Sequence, residues 1–88
     1  MKKTNTHELK TWPEYFNELL SGNKTFEVRK NDRDFKIGDI LLLNEYDPEN
    51  NKYTGRQTGF TISYILNGGN FGIEKEFCVL GIKPIKCK

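Results

Sequence analysis

The sequence predicts an α+β fold, a small mixed β-barrel of about five strands with one or two helices. Three observations carry that expectation: strand-like stretches recur along the chain, one segment has helical spacing, and the connections between strands are mostly too short to hold crossover helices. Eighty-eight residues make a single domain, with its core expected over residues 6–83. A chain this short buries only roughly 60% of the surface it exposes when unfolded. Ten Phe and Tyr side chains allow that modest core to be built from a few large groups.

Residues 6–11 read as the first strand, with His7 and Leu9 on one face and Glu8 and Lys10 on the other. Pro13 sits where a helix begins without losing a hydrogen bond, and Phe16, Leu19 and Leu20 keep helical spacing until Ser21-Gly22 ends it. Trp12, just before the helix, is expected in the core, while Tyr15 suits either the core or a base-stacking rim. Residues 25–30 alternate again, placing Phe26 and Val28 on an apolar side and Thr25, Glu27 and Arg29 on an ionic one. The polar run Asn31-Asp32-Arg33-Asp34 breaks the strand and Gly38-Asp39 marks a turn.

Residues 40–46 contain Leu41-Leu42-Leu43 in succession, a run suited to a strand covered on both faces. Asp47-Pro48-Glu49-Asn50-Asn51 is the tip of a long hairpin, and Tyr53-Thr54-Gly55 leads into a strand with Phe60, Ile62, Tyr64 and Leu66 on one face. Gly68-Gly69 ends that strand, and a loop through Gly72 leads to the last one at residues 77–82. Cys78 belongs to the core there, and Pro84 opposes continuation as a central strand.

The net charge of +2 and a pI near 8.5 describe a mildly basic chain, which excludes indiscriminate coating of duplex DNA and makes any nucleic-acid contact local. No apolar run approaches the ~20 residues of a membrane span and no secretion signal follows Lys2 and Lys3, so a cytoplasmic location without membrane contact is expected. Cys78, Cys87 and the single His7 have no metal-ligand spacing, and Cys87 falls in a tail; no metal and no cofactor are expected. The absence of heptads points to a monomer.

Chemistry concentrates where the helix stop Gly22-Asn23 runs into Lys24-Thr25-Phe26-Glu27-Val28-Arg29-Lys30-Asn31-Asp32-Arg33. Across residues 24–36 the basic set Lys24, Arg29, Lys30, Arg33 and Lys36 exceeds the acidic set Glu27, Asp32 and Asp34 by two, the net charge of the whole chain. Arg29 offers a planar fork for a phosphate or a base edge, Lys24 a mobile charge, and Glu27 an acceptor for an amino group. The plainer reading is that Glu27 and Arg29 satisfy each other, or Asp32, on an exposed sheet face, where such pairs contribute ~0–1 kcal/mol.

The strand with His7, the helix opening Pro13-Glu14-Tyr15-Phe16, the run from Gly22 to Arg29 and Phe35-Lys36-Ile37-Gly38-Asp39 together resemble the ASCH domains of the PUA-like superfamily. The resemblance extends roughly from His7 to Ile82 and is closest to a short bacterial and phage domain of unknown function with Arg29-Lys30-Asn31-Asp32-Arg33 before the Gly-Asp turn. It implies a PUA-like β-barrel with a cleft beside the first helix, and a role in binding RNA or a modified nucleotide. One ASCH branch removes the acetyl group from acetylated cytidine with a lysine after the helix, a threonine three residues on and a later glutamate. Lys24 matches the lysine and Arg29 an arginine of that motif, but Glu27 stands at the threonine position; Glu74 or Glu76 is the candidate for the later carboxylate, across an intervening region that is much shorter here. A carboxylate cannot be activated as a hydroxyl is, so Glu27 would have to serve as a general base.

The expected function is a nucleic-acid or nucleotide-binding module, with RNA or a modified nucleoside as partner, using a polar cleft between the first helix and residues 24–33. His7, Tyr15, Lys24, Glu27, Arg29, Lys30, Asp32 and Arg33 are the candidate binding residues. For His7 the sequence leans to a structural role beside Leu9. The alternative is an amidohydrolase-type enzyme acting on an acylated or modified nucleoside, with Lys24 and Glu27 catalytic. A protein-interaction role for the hairpin between Tyr46 and Tyr53 has no positive signal in the sequence.

Overall fold

Alternation decides the architecture. In the computed structural model, which describes residues 4–85, the chain runs β1 (Thr6–Thr11), α1 (Pro13–Ser21), β2 (Phe26–Lys30), β3 (Ile40–Asp47), β4 (Lys52–Asn67) and β5 (Phe77–Pro84). One five-stranded sheet in the order β1-β3-β4-β5-β2 curls into a half-barrel, giving a small α+β fold. β1 runs parallel to β3, and α1 and β2 occupy the long connection such a pair requires. All other pairings are antiparallel. No helix among the described residues is long and apolar enough to cross a membrane, and Cys87 lies outside those residues.

The concave face holds the core. Leu9 of β1, Leu41 and Leu43 of β3, Phe60 and Ile62 of β4, and Cys78, Leu80 and Ile82 of β5 form one cluster, joined by Leu19 of α1 and Phe35. Phe16 is also buried, but Leu20 lies on the exposed side of the helix. The three consecutive leucines of β3 are not covered on both faces: Leu41 and Leu43 are fully buried and Leu42 only half so.

Two irregularities in β4 rearrange what simple alternation predicts. Ile62 pairs with Ile82 and Tyr64 with Gly81, so Ser63 is an extra residue. Such a bulge inverts the parity beyond it, leaving Tyr64 exposed while Ile65 packs on the core. Nearer the hairpin, Asn44 pairs with Gln57 and Tyr46 with Tyr53, so Thr54, Gly55 and Arg56 all face Glu45. The turn-bearing segment before residue 60 is therefore continuous with the strand after it, in one 16-residue element. β5 likewise continues to Pro84, past Gly81, the last residue in its register with β2; proline is tolerated where one neighbour has ended.

β1 and β2 are the two sheet edges, and they face each other across an open seam without a backbone ladder. Side chains close it. Arg29 Nη2 donates to the Lys10 carbonyl at 2.8 Å and to Thr11 Oγ1 at 3.3 Å, and Arg33 Nη1 donates to the Glu8 carbonyl at 3.1 Å.

Candidate functional site

The seam is lined by residues that register, not hydrophobicity, turns inward. In β2, Glu27 pairs with Leu80 and Arg29 with Cys78. Directly opposed residues in an antiparallel pair share a face, and Leu80 and Cys78 are fully buried, so the two ionic side chains point to the inside of the barrel. Phe26 and Val28, on the apolar side of the strand, are exposed. The buried carboxylate of Glu27 is sustained because each of its oxygens meets a cation, which leaves each a further acceptor site: Lys24 Nζ lies 2.7 Å from Oε2, and Arg29 Nε donates to Oε1 at 2.9 Å. Among the described residues no buried polar side-chain atom lacks a partner.

Local backbone chemistry delivers Lys24 to this place. Gly22 ends α1 in the left-handed conformation at φ 86°, its N–H donating to the Leu19 carbonyl, and the Lys24 N–H turns back to the Glu18 carbonyl. Lys24 Nζ then donates to the Phe26 carbonyl as well as to Glu27. At the other end of the helix Trp12 is the N-cap residue, and its indole stacks on Tyr15 with ring centres 6.4 Å apart and planes 19° from parallel. Trp12 is 49% exposed and Tyr15 45%, so both stand at the rim and neither is a core residue.

These groups enclose a cavity of about 520 Å3, with Trp12, Tyr15, Phe26 and Val28 as walls, Lys24, Glu27 and Arg29 as floor, and Lys10 and Thr11 closing it on the β1 side. Four large exposed apolar side chains border this one concavity, with a few polar groups converging inside, a lining of the kind that small-ligand sites have. Glu27 sits between two cations, so the floor alternates donor, acceptor and donor. Nη1 of Arg29 and the third proton of the Lys24 ammonium take part in none of the bonds just described. The cleft can therefore hold a flat ring between aromatic walls and offer its polar edge both donors and a carboxylate.

The other sequence candidates divide. Arg33 lies on the same seam, beside a second cavity. Lys30 and Asp32 line neither cavity; Asp32 is exposed, its Oδ1 3.9 Å from Arg33 Nε. His7 lies four residues up β1 from Thr11, roughly 13 Å along a strand, and belongs to a separate cluster. Its Nε2 is 2.8 Å from Asp39 Oδ2, and its ring meets Phe35 edge-on at 4.8 Å. Burial works to raise the Asp39 carboxyl, but hydrogen bonds from His7 and from the backbone N–H groups of Asn5 and Lys36 hold it below its usual value. An ionised carboxylate only accepts, so His7 Nε2 is the donor, and its task is to tie β1 to the turn before β3. Glu74 and Glu76 are exposed and line neither cavity.

Sequence reasoning passed over Lys10, Thr11 and Glu45. Lys10 was legible only as a polar strand position, and its importance comes from the fold, which makes β1 an edge. Glu45 is buried beyond the cleft, where Arg56 Nε at 2.8 Å and Thr54 Oγ1 at 2.6 Å, supplied by the β4 irregularity, lower its carboxyl. Arg56 also reaches Asn17 of α1 at 3.0 Å, which fastens the hairpin to the helix.

Residues 6–82 match a family described as a domain of unknown function, DUF3850. An uncharacterised 12.9 kDa protein in the GpA 3′ region of Escherichia phage P2 is 41% identical over 61 residues, 69% of this chain. The match spans about half of that relative, 54% of its length.

Proposed function

We propose that this chain, which belongs to the DUF3850 family, is a nucleotide- or nucleic-acid-binding module that takes a base into the seam cleft. The observation that carries the reading is the aromatic-walled cavity floored by Lys24, Glu27 and Arg29. Trp12 and Tyr15 offer a stacking platform, and Glu27 offers an acceptor for the amino group of a base, the pairing carboxylates make with cytosine. The reading includes kinship with the ASCH domains of the PUA-like superfamily. What supports it is the curled mixed sheet and a cleft beside the helix that follows the first strand.

Calorimetric titration at low salt with single-stranded RNA oligomers and with nucleosides tests the binding. Both should bind, the oligomers progressively more weakly as salt rises, and Trp12→Ala should cost ~1–3 kcal/mol of affinity. No heat with any of them, or full affinity in Trp12→Ala, sinks the reading.

One observation favours hydrolysis of an acylated nucleoside as a second reading: Lys24 Nζ, suited to a developing oxyanion, lies beside the Glu27 carboxylate at the cavity floor. Chromatography of the same mixtures, extended to acylated nucleosides, decides it. Product that disappears in Lys24→Ala and Glu27→Gln establishes an enzyme, and unchanged substrate leaves a binding module.

A further inference from the structure

We infer that the second cavity on the seam is a phosphate subsite, so that the ligand is a nucleoside phosphate, free or within a strand, and not a bare nucleoside. This rests on the base-binding reading of the first cavity and extends it.

The two cavities are neighbours along one groove. Each has a volume of about 520 Å3, and Lys10 and Arg29 line both. The Arg29 guanidinium, bonded to the Lys10 carbonyl at 2.8 Å, forms the partition. A ligand lying along the seam with its ring against Trp12 therefore passes over Arg29 into the second space. That space differs in kind from the first: its walls are mainly polar, with Arg33, Asn44 and Tyr53 added and no stacked aromatic pair.

Its charge selects an anion. Arg29 is already paired with Glu27, but Lys10 and Arg33 add two cations against the single carboxylate that lines this cavity, Glu8, whose Oε1 is 3.4 Å from Asn44 Nδ2. Lys10 makes no ion pair among the described residues, and its ammonium stands 4.2 Å over the Tyr46 ring. Arg33 uses Nη1 on the Glu8 carbonyl and approaches Asp32 only at 3.9 Å, so its remaining donors stay available. Arginine forks in a groove half-shielded from water are the favoured recognition element for phosphate, and a lysine adds a point charge.

Two signals separate the cavities. Trp12 is the single tryptophan and walls the first, so its fluorescence reports the base; the Nε–H resonance of Arg33, which lines only the second, reports the anion. A nucleoside, its 5′- and 3′-monophosphates, a dinucleotide and tripolyphosphate are each titrated at low salt. A monophosphate should bind about tenfold more tightly than the nucleoside, the increment of one charge-assisted bond. Arg33→Ala should remove most of that gain and leave nucleoside affinity unchanged, since Arg33 lines the second cavity and not the first; Lys10→Gln should weaken monophosphate binding as well. Tighter binding of the dinucleotide than of either monophosphate assigns the subsite to a strand; equal binding assigns it to a free nucleotide.

Tripolyphosphate should shift the Arg33 resonance in wild type and not in Lys10→Gln, whether or not any base binds. Absence of that shift overturns the phosphate subsite, as does equal affinity for nucleoside and monophosphate, or an acidic peptide that shifts the Arg33 resonance as strongly. Loss of the fluorescence response alone, with the Arg33 shift intact, removes the base reading and leaves the anion site.

Discussion

At the scale of single residues, the molecule keeps its carboxylates inside by giving each one a specific set of donors. Glu27 has Lys24 and Arg29, Glu45 has Arg56 and Thr54, and Asp39 has His7 with two backbone N–H groups. The last two are resolved below their ordinary values of 4.5 and 3.8, Glu45 chiefly through Arg56, Asp39 against the opposing effect of burial. A carboxyl lowered in the folded state stabilises it fully above the ordinary value, and that contribution disappears as pH falls through the lowered one. The urea midpoint should therefore be level from pH 7 to about 5 and fall below about pH 4, with Glu45→Gln flattening part of the fall. A midpoint as high at pH 3 as at pH 7 would contradict this. The sequence identified Glu27 and Arg29 as the chemical pair but not their direction, because alternation distinguishes two faces without saying which one is inside. Register with Leu80 and Cys78 decides that, and register is a property of two strands.

At the scale of elements, four boundaries marked by Gly or Pro were legible, whereas Gly55 and Pro84 proved to lie within strands. Pro13 begins α1, Gly22 ends it, Gly38-Asp39 precedes β3 and Gly68 follows β4. Gly22 does more than stop the helix, since the left-handed turn it permits sets the direction in which Lys24 leaves. Gly22→Ala meets no steric neighbour, so its cost is the backbone strain alone, about 1 kcal/mol in urea unfolding. An unchanged midpoint would show that the turn is not needed. What escaped was the pair of irregularities in β4. They consist of ordinary residues such as Ser63 and Thr54, and only the strands opposite show that one position is surplus. That is why Tyr64 and Ile65 exchange the roles that alternation assigned them.

For the whole molecule, the five strands, the helix and their order could be read from the chain, while the seam could not. It follows from which strands end up at the edges, and a parallel β1–β3 pair separated by 28 residues leaves no local trace. Because two arginines close the seam without a ladder, Arg29→Met should make β1 amides exchange about tenfold faster and leave the β3–β4 amides unaltered. Wild-type exchange in β1 would show that the strand is secured otherwise. β2 has one ladder neighbour, β5, although 46 residues lie between Lys30 and Phe77. During synthesis the Lys24–Arg29 wall thus has nothing to pair with until the last strand has emerged, so a nascent or shortened chain holds the right side chains and no recess to put them in.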